Sequence, residues 1–320
     1  MPIDQRAKQF LDRLAALNPP SAESLPVAER RTALQYMLDS SGVCAPVAAV
    51  TDIVLAGTAT ALRVRMYTPA AACADPLPAL VYFHGGGFVA GSLDSHDGIC
   101  RSLCRASACR VLAVDYRLAP EHPFPAAITD GIEAVTFVAA HALELGVDPS
   151  RLGVCGDSAG ATLAAAVAQH LAAHGQTVLA LQALLCPIMD LAAQTASRRE
   201  FATGYLIDES MLEHDLQHYL GAGTSVADPR VSPLRALSLT GLPPTCLHTA
   251  EFDPLRDEGR LYAERLMQAG VPTRYTCHPG MIHLFYGMER LIPSAASAWQ
   301  LIGADIRAML AVASASRATQ

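Results

Sequence analysis

The stretch Gly156-Asp157-Ser158-Ala159-Gly160 decides the fold that this sequence predicts. It follows the apolar run at residues 152–155 and precedes residues 161–168, which are rich in helix formers. The segment therefore predicts a strand, a sharp turn and a helix. In such a turn the serine takes a strained backbone conformation that holds its hydroxyl clear of the sheet, and the flanking glycines let strand and helix pack closely.

Strand-length and helix-length segments alternate along most of the chain. The predicted strands are residues 52–56, 62–68, 79–83, 111–115, 152–155, 179–186, 245–249 and 273–277. The predicted helices are residues 98–106, 126–141, 159–173, 254–268 and 294–310. This alternation predicts an α/β fold with a mostly parallel central sheet flanked by helices, and with reactive groups at the carboxyl ends of the strands.

Two segments interrupt the alternation, namely residues 1–45 and residues 191–224. Long irregular stretches in a compact domain are usually functional or separately folded. We expect residues 1–45 to form an N-terminal helical cap segment to which residues 191–224 contribute. Residues 46–320 are then expected to form the catalytic domain.

Composition argues against several classes of function. The net charge of -7, without a basic run, argues against a nucleic-acid partner and against an anionic membrane surface. No apolar run approaches the ~20 residues that span a bilayer, so we expect no stable membrane insertion. Lys8 is the only lysine, which excludes a lysine-containing phosphate loop, a serine–lysine pair at Ser158 and an interior lysine for a Schiff base.

Cysteine usage and the first residues point to a reducing compartment. The nine cysteines form neither a C-x-x-C pair nor a zinc-ligand cluster, and several lie in apolar runs. Their odd number and apolar surroundings favour buried reduced thiols. Residues 1–8 carry charges of both signs and lead into an amphipathic pattern, which is unlike a signal peptide. We therefore expect a cytoplasmic protein.

A second glycine-rich stretch, His84-Gly85-Gly86-Gly87-Phe88, directly follows a predicted buried strand. Consecutive glycines let backbone N–H groups converge on an anion, and an acyl-transfer enzyme needs such donors for the oxyanion of its tetrahedral intermediate. We expect the amides of Gly86, Gly87 and Ala159 to form an oxyanion hole. His84 is expected to be a structural hydrogen-bonding residue, and a flexible turn is the alternative interpretation of the stretch.

A nucleophilic serine also needs a base and an acid that orients the base. Asp253 falls just past the predicted strand at residues 245–249 and directly before a proline that suits the first turn of a helix. This position leaves Asp253 as a helix N-cap or as the acid. Asp257 and Glu258 are expected on the helix itself, and Glu251 is expected to buttress the loop.

Position removes most of the eleven histidines as candidate bases, because they lie on predicted helices or strands or precede the serine. Two remain in the segment at residues 278–285, which is predicted as a loop after the last strand. His283 follows the Gly280 turn and is free to reach back over the sheet edge, whereas His278 closes the strand before a proline. We therefore expect His283 to be the base.

Together these segments resemble the hormone-sensitive lipase family of microbial esterases, often called family IV, in the branch with Gly-Asp-Ser-Ala-Gly at the elbow. The resemblance is carried by residues 84–88, 116–125, 156–160, 253–259 and 280–285. It implies an α/β-hydrolase fold with a helical cap and a triad of Ser158, Asp253 and His283. The implied activity is the hydrolysis of short- to medium-chain carboxylic esters through an acyl-enzyme, with no metal and no cofactor.

Further site residues are expected on the same basis. His84, Gly85, Asp157 and Glu251 are expected to support the motifs. Two positions depart from the family pattern, because Ala161-Thr162 stands where Gly-Asn is common and Leu284 stands where glycine is common. The residues expected to line the substrate pocket, although they could equally be packing residues, are Phe88, Tyr205, Leu206 and Met281.

Several alternatives stay open. A deacetylase or amidase would use the same triad, and a non-catalytic ligand-binding receptor could be built on the same scaffold, although the intact His283 weighs against a receptor. A nucleotide-binding protein with a structural elbow is disfavoured, since the chain has no G-x-G-x-x-G motif. The last predicted strand could be a sheet edge that pairs between subunits, which leaves a homodimer open.

Overall fold

The computed structural model describes residues 1–18, 20, 25–56, 58, 60–70, 76–221 and 223–318. Within them one sheet contains all the strands, which are β1 (Ala49–Val54), β2 (Arg63–Thr68), β3 (Leu77–Phe83), β4 (Arg110–Val114), β5 (Val147–Asp157), β6 (Leu181–Leu185), β7 (Thr245–Phe252) and β8 (Thr273–Ile282). Each overlaps a predicted strand. Parts of both predicted cap segments, namely residues 19, 21–24 and 222, lie outside the described residues, as does Cys73.

The strand order β1-β2-β4-β3-β5-β6-β7-β8 places β3 and β5, which precede the two glycine-rich motifs, near the middle of the sheet. β1 pairs with β2, and β2 with β4, in antiparallel fashion, whereas the remaining neighbours are parallel. The carboxyl ends of β3, β5, β6, β7 and β8 therefore meet at one edge of the sheet. The predicted edge position of the last strand is confirmed, since β8 ends the sheet opposite β1.

Helices cover both faces of this sheet. The described helices are α1 (Gln5–Leu17), α2 (Val27–Ser41), α3 (Asp97–Ser107), α4 (Ala126–Ala140), α5 (Ala159–Ala173), α6 (Ala196–Glu200), α7 (Glu209–Tyr219), α8 (Arg256–Gln268) and α9 (Ala295–Ala318). α4, α5 and α8 pack on one face, and α3 and α9 pack on the other. α1 and α2 precede the sheet, and α6 and α7 lie between β6 and β7.

Strand β3 shows how the core divides between the two faces. Successive side chains of a strand point to opposite sides, so Ala79, Val81 and Phe83 join the core under α4 and α5. Leu80 and Tyr82 join the core under α3 and α9. All five side chains are fully buried, as expected for a parallel strand that is covered on both sides.

The end of the last strand differs from the sequence prediction. β8 continues to Ile282 and pairs Ile282 with Phe252, so residues 278–282 are strand and the predicted loop there is wrong. The strand passes Gly280, whose φ of 73° bends the backbone without ending the pairing. The alternation of apolar and polar residues that marks a strand does not predict this extension, because the segment contains both a proline and a glycine.

None of the described helices combines the length and the apolar character that crossing a bilayer requires.

The junction of β5, α5 and β3 makes a specific prediction for stability. A Cβ at Gly160 would collide with the carbonyl oxygens of Phe83 and His84. Because these are backbone atoms of a buried segment, we expect Gly160→Ala to lower the free energy of unfolding by about 1–3 kcal/mol. Urea denaturation followed by circular dichroism measures this change.

Gly221→Ala is the matched control for this experiment. A Cβ at Gly221 would meet only the carbonyl oxygen of Phe124, at 3.8 Å, so the variant should stay within about 0.5 kcal/mol of the wild type. Equal losses in the two variants would contradict the role given to the close approach at Gly160.

Candidate active site

Ser158 lies in the turn between β5 and α5, in a conformation that non-glycine residues rarely adopt. Its φ is 51° and its ψ is -122°. The turn is so tight that a Cβ at Gly156 would collide with the carbonyl of Gly160. The Ser158 N–H donates a hydrogen bond of 2.8 Å to the carbonyl oxygen of Leu185. The strained elbow predicted from the sequence is therefore present.

The structure brings Ser158, His283 and Asp253 together, as predicted. Ser158 Oγ lies 3.1 Å from His283 Nε2, and His283 Nδ1 lies 2.8 Å from Asp253 Oδ2. Asp253 and His283 directly follow β7 and β8, so three strand ends supply the three side chains. Ser158 is 8% exposed and Asp253 is 0% exposed. Of these three residues the serine therefore lies nearest to solvent, and the carboxylate is fully buried.

Of the two positions that the sequence left open for Asp253, the helix N-cap is taken by Leu255 instead, and within the described chain no side chain caps α8. Asp253 Oδ1 accepts a hydrogen bond of 2.8 Å from the N–H of Leu255, just before α8, while its Oδ2 faces His283. The hydrogen bond in the turn before α8 thus holds the carboxylate in place beside the imidazole of His283. Glu251 acts nearby, since its Oε2 accepts a hydrogen bond of 2.7 Å from the N–H of Gly280 and so joins the end of β7 to the bend in β8.

Leu284 explains one departure from the family pattern. Its φ of 62° lies in the left-handed region, where glycine has no steric cost. Leu284 is also buried, so its side chain packs in the core where a glycine would leave space. The left-handed conformation of Leu284 costs about 1–2 kcal/mol, and burial of its side chain offsets this cost.

The segment from His84 to Phe88 forms a tight loop after β3. Gly86, Gly87 and Phe88 all have positive φ, at 115°, 65° and 64°. Within the described part of the chain, the N–H groups of Gly86, Gly87 and Ala159 donate to no carbonyl or side chain. Three unpaired backbone donors beside an elbow serine are the arrangement that a developing oxyanion requires.

Asp157 ties the elbow to this loop. Its buried carboxylate accepts hydrogen bonds from the Gly85 N–H, at 2.9 Å, and from the hydroxyls of Tyr82 and Tyr286. Burial alone would raise the pKa of Asp157, but attraction and hydrogen bonding from His96, together with the Tyr82 hydroxyl, hold this pKa below its usual range. Asp157 is therefore an anion that fixes the position of the glycine loop.

His84 is held by the same loop. Its Nδ1 lies 2.8 Å from the carbonyl oxygen of Gly85, and its ring stacks on Tyr116 with 4.4 Å between the ring centres. Burial, reinforced by repulsion from His96, lowers the pKa of His84 to about 3, so its imidazole is neutral at physiological pH. These contacts agree with the structural position that the sequence suggested.

Cys186 lies against the candidate triad, and sequence reasoning treated it only as a core thiol. It follows β6 with a φ of 44°, and its Sγ lies within 4.8 Å of ligating atoms of both Asp253 and His283. Burial and the Asp253 carboxylate raise the pKa of this thiol well above its usual value, so it is protonated and can donate to the carboxylate. Asp253 and His283, the two stronger metal ligands of this group, are hydrogen-bonded to each other.

A cavity of about 80 Å³ lies beside the glycine loop. Its walls include Gly87 and Phe88 together with apolar side chains from the β6–α6 connection and from α7, namely Ile188, Leu191, Leu212, Leu216 and Tyr219. Of the four predicted pocket residues, Phe88 lines this cavity and stacks on Tyr219 with ring centres 3.9 Å apart. Tyr205 packs instead on Phe201, and Leu206 and Met281 pack with the core on the α9 side of the sheet.

Comparison with known proteins agrees with this geometry. Residues 80–287 match the family model of the alpha/beta hydrolase fold. The carboxylic ester hydrolase LipN of Mycobacterium tuberculosis is 42% identical over 267 residues, which cover 82% of this chain and 70% of LipN. The ethyl acetate hydrolase of Pseudomonas putida is 40% identical over 238 residues, which cover 73% of this chain and 74% of the relative.

Solved structures give the same result. An ester hydrolase from the metagenome of Lake Arreo superposes with a TM-score of 0.92 at 41% identity, covering 96% of this chain and 98% of its own. An esterase from the archaeon Pyrobaculum calidifontis superposes with a TM-score of 0.91 at 36% identity, covering 97% and 99%. The chain therefore belongs to the alpha/beta hydrolase family, and it is an esterase of that family. The predicted fold and family are confirmed.

The environments of the cysteines predict selective alkylation. Only a thiolate reacts rapidly with iodoacetamide, and burial raises the pKa of the Cys186 thiol, whereas Cys44 is exposed. In the native protein at mildly alkaline pH we expect Cys44 to be alkylated and Cys186 to stay unmodified, with esterase activity retained. Peptide mapping by mass spectrometry measures both sites.

The same labelling in guanidinium chloride is the control, because unfolding should make both thiols reactive. If Cys186 in the native protein reacted as fast as Cys44, the buried, protonated state assigned to its thiol would be wrong.

Proposed function

We propose that this protein hydrolyses carboxylic esters with Ser158 as the nucleophile, His283 as the general base and Asp253 as the orienting acid. The observation that carries the proposal is the buried chain of contacts from Ser158 Oγ through both imidazole nitrogens to Asp253 Oδ2, at 3.1 and 2.8 Å. These separations are within reach of direct proton transfer and hydrogen bonding.

In the first step, the Ser158 oxygen attacks the ester carbonyl carbon while its proton passes to His283 Nε2. The carboxylate of Asp253 accepts a hydrogen bond from His283 Nδ1–H, which fixes the tautomer and stabilises the imidazolium that forms. The tetrahedral intermediate collapses when the bond to the alcohol oxygen breaks and His283 returns the proton to the leaving alcohol. An acyl-enzyme on Ser158 is the product of this half-reaction.

The backbone amides of Gly86, Gly87 and Ala159 stabilise the oxyanion in the proposed mechanism. Supporting this, these N–H groups have no acceptor within the described residues, and the glycine loop is held to the elbow through Asp157. Donors fixed before the reaction need no reorganisation when charge develops, and one such donor typically contributes about 100-fold or more to the rate.

Deacylation repeats the chemistry with water. A water molecule loses a proton to His283 and attacks the acyl carbon, and the bond to Ser158 Oγ then breaks as the serine recovers its proton. The carboxylic acid is released and the starting state returns. Within the protein, only Ser158 and His283 exchange protons in this cycle, since Asp253 and the backbone donors stabilise charge without transferring a proton.

The proposed substrates carry short to medium acyl chains. The cavity beside Gly87 measures about 80 Å³, and its walls combine apolar side chains with charged ones, including Arg198 and Asp215. Its small size favours a small acyl group. The relative named as an ethyl acetate hydrolase is consistent with an acyl group of this size. Because a deacetylase or amidase would use the same site, amide substrates belong in the same test.

We also propose that α1 and α2, with α6 and α7, form the cap that closes this cavity. Leu212, Leu216 and Tyr219 of α7 line the cavity. α2 contacts the residue that follows the glycine loop, through the hydrogen bond of 2.8 Å from Arg31 Nε to the carbonyl oxygen of Val89. The eight cysteines of the described chain are free thiols, which supports the expected cytoplasmic setting.

The edge position of β8 supports pairing of two copies as a homodimer.

Removing the Ser158 hydroxyl should abolish turnover while leaving the fold intact. We expect Ser158→Ala to lower kcat with p-nitrophenyl butyrate by at least about 10³-fold, because no nucleophile is left at the elbow. Ser297→Ala changes an exposed serine of α9 and is the matched control, with kcat expected to stay at the wild-type value. Esterase activity retained by Ser158→Ala would overturn the proposed function.

Acyl-chain preference gives a separate test. With p-nitrophenyl esters from acetate to palmitate, we expect kcat/KM to peak at or below hexanoate and to fall by at least about tenfold at laurate, because longer chains exceed the cavity. p-Nitroacetanilide, measured in parallel, should be hydrolysed far more slowly than p-nitrophenyl acetate. A maximum at palmitate would contradict the assignment to short and medium chains.

A further inference from the structure

A buried ion pair lies directly on the glycine loop. Arg30 of α2 pairs with Asp215 of α7, and their side chains are only 11% and 8% exposed. A Cβ at Gly87 would collide with the carboxylate of Asp215, so the carboxylate rests on the backbone of this glycine. The pair thus joins two segments that lie 185 residues apart in the sequence, at a residue proposed to bind the oxyanion.

The position of Asp215 is electrostatically unfavourable for the proposed reaction. A carboxylate beside the oxyanion hole repels the negative charge that develops on the substrate oxygen, and this repulsion is strong where water is excluded. Glu209 and Glu213 also line the cavity, but both are exposed, so solvent screens them. Asp215 is buried, so solvent does not screen its carboxylate to the same extent.

Arg30 supplies the compensating charge. Burial lowers the pKa of Arg30 to about 10, which still leaves the guanidinium protonated at neutral pH. The neighbouring Arg31 donates a hydrogen bond of 2.8 Å to the carbonyl oxygen of Val89, the residue after this loop, and one of 3.0 Å to that of Ala119. The two arginines therefore have different contacts, since Arg31 binds these carbonyls and the exposed Glu121, whereas Arg30 binds the buried acid that lies on Gly87.

We propose that Arg30 is a positioning residue of the oxyanion hole, which neutralises the Asp215 carboxylate so that negative charge can develop beside Gly87. The inference rests on the proposed function and deepens it. It makes α2 part of the electrostatic environment of the reaction, acting through Asp215 and not through contact with the substrate.

The test is a cycle of variants measured with p-nitrophenyl butyrate. Arg30→Met removes the charge and keeps much of the side-chain volume, and it should lower kcat about tenfold to 100-fold while KM changes by less than about threefold. Asp215→Asn removes the carboxylate, so its kcat should fall by less than about tenfold, which is a smaller loss than in Arg30→Met. The double variant should recover the kcat of Asp215→Asn, because no unpaired charge is left.

Two further variants separate charge from packing. Arg30→Lys keeps the charge and should retain most of the wild-type kcat. Arg31→Met is the matched control on the same helix, and any loss it causes should not be recovered by adding Asp215→Asn. If the pair acted only as a structural latch, breaking it from either side would slow the reaction equally, and equal losses in Arg30→Met and Asp215→Asn would overturn the inference.

Folding of each variant is checked by thermal unfolding. If Arg30→Met does not fold, Asp215→Asn and Arg30→Lys test the inference instead. A tenfold loss of kcat in the folded Asp215→Asn variant would contradict charge neutralisation. The proposed function fails separately, through ester turnover by Ser158→Ala. The inference fails when wild-type turnover depends on Ser158 but kcat is not recovered in the double variant.

Discussion

The close approach of β5, α5 and β3 at the elbow is the constraint on which the site depends. Gly156 and Gly160 leave no room for a Cβ, and this forces Ser158 into its positive φ. A serine in that conformation projects its hydroxyl from the sheet edge, and its N–H is held by the neighbouring strand at Leu185. The strain is sustained because the surrounding backbone is buried and hydrogen-bonded.

From this elbow the remaining parts of the site are positioned by buried polar contacts. Asp157 holds the N–H of Gly85 and so sets the glycine loop against Ser158. Asp253 accepts a hydrogen bond from the Leu255 N–H with one oxygen, just before α8, and faces His283 Nδ1 with the other. Each carboxylate thus serves a structural contact and a functional neighbour at once, which couples the stability of the loops to the geometry of the proposed triad.

Much of this arrangement could be predicted from the sequence, because its signals are local. Strand-length apolar runs predicted the sheet, and glycine-rich turns after two of those runs marked the elbow and the loop containing Gly86. Asp253 and His283 were identifiable from their places after strands. The continuation of β8 to Ile282 was not predictable, since its proline and Gly280 are typical of a loop until the pairing with Phe252 is seen.

The sequence by itself determined the α/β-hydrolase fold and the identities of the proposed triad, because strands, helices and the glycine-rich turns between them follow from short patterns. Only the tertiary structure decided that Cys186 lies beside Asp253 and that Arg30 pairs with Asp215 on the glycine loop. These are ordinary residues in ordinary local sequence. Their surroundings arise from burial and charge pairing between segments far apart in the chain, and no local pattern records such contacts.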